Sequence, residues 1–113
     1  MRADLGMSSG KLASQAGHAF LGVFLQCPDR QRLSQYHRNF PESPGTKVCL
    51  AARTLDQLLR AEDAARVAGL PVSRVVDSGC ENFFGGQPVI TAIGFGPATR
   101  DEVHHFTKKL QLL

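Results

Sequence analysis

The chain has 113 residues, enough for one domain of ordinary size and too few for two. Hydrophobic residues make up 42% and charged residues 20%, and no apolar run approaches the ~20 residues that a membrane-spanning helix needs. A net charge of +3, from 13 Lys and Arg against 10 Asp and Glu, is compatible with a nucleic-acid partner but too small to establish one.

The opening "MRADLGM" has room for a short first strand and lacks the apolar core of a secretory signal. From Ser8 or Ser9, whose hydroxyls suit an N-cap, "GKLASQAGHAFLGVFL" reads as a helix. Leu12, Ala16, Ala19, Phe20 and Val23 recur at steps of three and four and form its apolar face. Lys11, Gln15, His18 and Gly22 form a second, polar stripe along the same cylinder.

Pro28 opens a polar segment with a short helix to about Arg38 and a Pro/Gly loop through Gly45. Its Arg30, Arg32, His37 and Arg38 make the one local basic cluster, read as a solvated face or an RNA backbone contact. Lys47–Ala52 has strand character. Thr54 and Gln57 predict a capping box for a helix that stops at Gly69 and Pro71. "PVSRVVD" predicts a strand ending at Asp77, and "VITAIGF" another after the glycine-rich connection 78–88, where Phe83 and Phe84 read as core aromatics or a stacking loop. Thr99 and Glu102 predict a second capping box, opening a last helix to Leu110 with Val103, Phe106 and Leu110 inward.

Strands alternating with helices of this length predict an α/β layer protein over residues 1–113, with helices on both faces of a mixed four-stranded sheet. Cys27, Cys49 and Cys80 form no CxxC pair and cannot all be paired, so free thiols in a reducing cytoplasm are expected.

"GMSSGKL" resembles a phosphate loop, but it has three residues where four belong and Leu12 where Ser or Thr should hold magnesium. What survives is a helix N-terminus with free N–H groups and a lysine, a corner suited to anions. Lys11 reads either as a solvated first-turn residue or as part of a site with Gln15 and His18, because a cation there opposes the helix dipole. Asp77 reads either as a turn carboxylate or as a functional group at a strand end, where open α/β sheets bind ligands. His18 has no metal-ligating partner at suitable spacing, so no metal is expected.

Four motifs in order resemble the type 2 peptidyl-tRNA hydrolases across essentially the whole chain. They are "MRADLGMSSGKLASQAGHA", "VVDSG", "AIGFGPA" and "KLQLL". The resemblance implies a compact α/β fold, no cofactor, and cleavage of the ester in peptidyl-tRNA. It places the catalytic lysine and aspartate on Lys11 and Asp77, and the substrate side on Gln15, His18 and Arg2. It implies peptidyl-tRNA as partner; composition speaks against a membrane role, and a homodimer stays open. The chain departs from the family pattern at Cys80, where an arginine is usual, and at Glu81 and Val89, where threonines are usual. Thr91, two residues beyond Val89 and on the same sheet face, is the expected replacement hydroxyl on the substrate side. The family's first strand carries several apolar residues before this arginine; here only Met1 precedes Arg2, so that strand is expected to be cut short. The alternative reading is a tRNA-binding or interaction protein that does not cleave.

Overall fold

Ser8 starts the first helix as expected: its side chain accepts from the Lys11 backbone N–H at 3.3 Å, and α1 runs Ser9–Gln26. The computed structural model describes residues 1–79 and 84–113, so Cys80, Glu81 and Phe83 lie outside the described residues. The remaining elements are α2 (Arg30–Tyr36), β1 (Leu50–Ala51), α3 (Leu55–Val67), β2 (Val72–Asp77), β3 (Val89–Phe95), α4 (Arg100–Thr107) and β4 (Gln111–Leu112). No helix among the described residues is long and apolar enough to cross a membrane.

Both capping pairs form, but differently. Thr99 and Glu102 make the reciprocal box. Thr54 accepts from Gln57 N at 3.1 Å, while the Gln57 side chain reaches past it to Arg53 N at 2.7 Å. The last helix ends at Thr107 rather than Leu110, because residues 111–112 leave it to pair with β1.

The expected mixed four-stranded sheet is not what the strands form. β2 pairs with β3 and β1 with β4, giving two separate two-stranded antiparallel sheets. Of the predicted strand Lys47–Ala52 only Leu50–Ala51 is regular. The first strand is reduced to one parallel bridge, Arg2 to Ala52.

Helices cover opposite faces of β2–β3, as alternation predicts. Ala19 of α1 packs with Val75 and Ala92, while Leu58 and Ala61 of α3 pack with Ile93 on the other side. α4 closes the far end, where Val103 and Phe106 meet Ala65, Leu70 and Val72. Gly94 lets α1 sit close to the sheet: a Cβ there would lie 2.5 Å from the Ala19 carbonyl oxygen.

Two carboxylates, Glu62 and Glu102, anchor the ion pairs that tie the elements together. Glu62 of α3 is 1% exposed and accepts from Arg66 at 2.9 Å and from Arg74 of β2 at 2.6 Å. Burial pushes its pKa up, but the two guanidinium groups outweigh that and hold it below the ordinary value. Arg32 of α2 grips Glu102 of α4 with both terminal nitrogens, at 2.9 and 3.0 Å, and donates to the Pro97 carbonyl at 2.7 Å. Arg32 therefore leaves the basic cluster and acts as a brace.

Candidate active site

The site assembles where the N-terminal turn of α1 passes the end of β2. Lys11 Nζ donates to Asp77 Oδ2 across 66 residues of sequence, in a pair whose side chains are 15% and 9% exposed. Gln15, one turn further along α1, donates to the same Oδ2 at 3.3 Å. The Gly79 backbone N–H donates to Oδ1 at 3.0 Å. Glycine is required there: its φ is +88°, and a Cβ would meet the Gln87 backbone at 2.5 Å. Asp77 is thus held by donors from the helix and from the turn. The lysine that opposes the dipole of its own helix is offset by this carboxylate.

A β-bulge explains how Thr91 reaches the site. Val75 is opposite Ala92 and Val76 is opposite Ile90, so Thr91 is the extra residue on β3. The bulge turns both Thr91 and Ala92 toward α1, and both are 0% exposed. The Thr91 hydroxyl donates to Gln15 Oε1 and lies 3.5 Å from the Val75 carbonyl. With Oε1 taken by Thr91, Gln15 must turn its NH2 toward Asp77. Val89 is opposite Asp77 and gives it an apolar neighbour in place of the family's hydroxyl.

His18 and Arg2 fall elsewhere. α1 buries Gln15, Ala19 and Val23, and His18 lies about 100° around the cylinder from the centre of that arc, exposed to solvent. Gln15 sits at its rim, and Lys11, about 80° from the same centre, still reaches Asp77 with its long side chain, so the polar stripe divides in two. Arg2 is engaged by Asp4, with two 2.7 Å hydrogen bonds, and by the Ile90 carbonyl at 3.3 Å. That contact holds the Asp4 carboxyl below its ordinary pKa.

Two contributors escaped sequence reasoning. The Gly79 amide had a signal in the Asp-Ser-Gly turn, which is built to fold back on its own carboxylate. The Phe84 ring, 5.7 Å from Lys11 Nζ, had none beyond the paired aromatics. No group of three or more His, Cys, Asp or Glu among the described residues is placed to hold a metal ion.

A paired ammonium and carboxylate, largely shielded from water, thus lie where a helix N-terminus meets a strand end in an α/β protein. The family model described as "Peptidyl-tRNA hydrolase PTH2" matches residues 1–113. The chain is also similar to the peptidyl-tRNA hydrolase of Metallosphaera sedula, 31% identical over 113 residues that make up 100% of this chain and 95% of the relative. Those of Methanopyrus kandleri and Halobacterium salinarum are each 33% identical, over 100% and 98% of this chain and 93% of each relative. The chain belongs to the type 2 peptidyl-tRNA hydrolase family.

Proposed function

We propose that this protein hydrolyses the ester joining the peptide to the 3′ end of tRNA in peptidyl-tRNA, releasing peptide and reusable tRNA in the cytoplasm. The observation that carries the reading is the shielded Lys11–Asp77 pair, in a chain that matches relatives named peptidyl-tRNA hydrolase over 93–95% of their length. Asp77 takes a proton from a water that attacks the ester carbonyl carbon. Lys11 stabilises the oxyanion of the tetrahedral intermediate. The carbon–oxygen bond to the ribose then breaks, and the leaving hydroxyl takes back the proton. Gln15 holds Asp77 in place from α1, and Thr91 holds Gln15.

The test is incubation of purified protein with N-acetyl-aminoacyl-tRNA. The expected result is release of the N-acetyl amino acid and intact tRNA. Salt-dependent RNA binding with no release would instead favour the non-cleaving reading suggested by Val89 and by the departures at Cys80 and Glu81.

A further inference from the structure

We infer that Phe84 is a positioning residue for the reaction: the face of its ring holds the Lys11 ammonium in place while Asp77 takes up the proton of the attacking water. This inference rests on the hydrolytic reading and adds to it a residue with no polar group of its own.

The ring is placed by the backbone on either side of it. Its centroid lies 5.7 Å from Lys11 Nζ, inside the ~6 Å within which a cation is drawn to an aromatic face. The Gln87 N–H donates to the Phe84 carbonyl at 3.2 Å, and Gly85 and Gly86 between them have φ of +59° and +77°. Positive φ at both central positions is what a type I′ turn requires, and glycine supplies it without strain. The same turn packs against the carboxylate side of the site, because Gly79, whose amide donates to Asp77 Oδ1, leaves room for the Gln87 backbone. The amide on Asp77 and the ring on Lys11 therefore come from the two described ends of one folded-back connection.

Electrostatics gives the ring its task. Lys11 stands in the first turn of α1, where the helix dipole opposes a cation, and Asp77 offsets that opposition only while it is charged. Once Asp77 has accepted a proton, the offset is gone at the moment the ammonium must turn to the oxyanion. Gln15 does not replace it, since its NH2 faces Asp77 and its Oε1 accepts from Thr91. Bulk water is a poor substitute too, with the two side chains only 15% and 9% exposed. A second carboxylate would hold the ammonium but would compete with the oxyanion for its N–H donors. An aromatic face attracts the charge, does not titrate, and leaves those donors to Asp77 and then to the oxyanion.

The test replaces Phe84 site-specifically, in the full-length chain, by 4-fluoro-, 3,5-difluoro- and 3,4,5-trifluorophenylalanine, which weaken the negative ring face stepwise with little change of shape. Single-turnover deacylation of N-acetyl-aminoacyl-tRNA is expected to slow with each fluorine, reaching about threefold to tenfold for the trifluoro ring, with tRNA affinity and Tm nearly unchanged. A rate indifferent to fluorination overturns the proposal. Should Phe84→Leu then weaken tRNA binding, the ring is a substrate contact instead. A second readout needs no turnover: the ζ-ammonium signal of Lys11 in 1H–15N NMR is expected to carry a ring-current shift that survives in Asp77→Asn and disappears in Asp77→Asn/Phe84→Leu. Loss of the shift in Asp77→Asn alone shows that the ring does not hold the lysine by itself and also overturns the proposal. If the shift behaves as expected but the wild-type protein cleaves nothing, the failure is that of the hydrolytic reading and the contact between Phe84 and Lys11 stands.

Discussion

Thr91 is 0% exposed, and its hydroxyl decides which end of the Gln15 amide faces Asp77. Removing its hydroxyl leaves Gln15 Oε1 without its donor in a buried site, at a cost of about 1–3 kcal/mol. It also frees the amide to turn its oxygen toward the carboxylate. Thr91→Val is expected to lower kcat about tenfold with KM nearly unchanged and to lower Tm, while Thr91→Ser keeps the hydroxyl and most of both. Steady-state kinetics beside thermal melts checks this; an unchanged kcat in Thr91→Val would remove Thr91 from the site. The sequence placed Thr91 on the right sheet face, as a hydroxyl for the substrate side, with no sign of its burial. Its burial follows from a bulge, and a bulge depends on how two strands meet, which no residue of "VITAIGF" announces.

Local chemistry carried most of the elements. Ser8, Thr54 and Thr99 begin helices because their hydroxyls satisfy orphan N–H groups, and these starts were legible. Less legible was what the basic cluster does, since Glu102 lies 70 residues from Arg32 and the pairing is tertiary. The consequence is a pH dependence. Arg32, with the Thr99 backbone, holds Glu102 down to about 2, well below the ordinary glutamate range. A depressed carboxyl contributes stability that is present above its unfolded pKa of about 4.3 and lost as pH falls through its folded value. Tm is therefore expected to fall between about pH 4.5 and pH 2, with a smaller slope in Arg32→Gln. Identical slopes in parent and variant, measured by calorimetry, would show that the pair does not couple α2 to α4.

Across the whole molecule, the α/β class and the two-sided helix cover follow from the alternation of periods, but the split into two sheets does not. Between the two sheets, Met1–Ala3 hydrogen-bonds to Thr91 of β3 and to Ala52 just past β1, a long-range contact that no local pattern announces. The polar stripe on α1 was half legible, because spacing fixes relative angle but not which side of the arc faces the sheet. Lys11 and Gln15 reached Asp77, and His18 turned to solvent. What the fold accomplishes is the meeting of Lys11 and Asp77 from opposite halves of the chain, and the central claim is that this pair cleaves the ester. Single-turnover deacylation of N-acetyl-aminoacyl-tRNA by wild type, Lys11→Ala and Asp77→Asn tests it most directly. The account predicts that each substitution slows the chemical step by at least about 100-fold while tRNA affinity changes only a few-fold. Wild-type cleavage rates in either variant would contradict it.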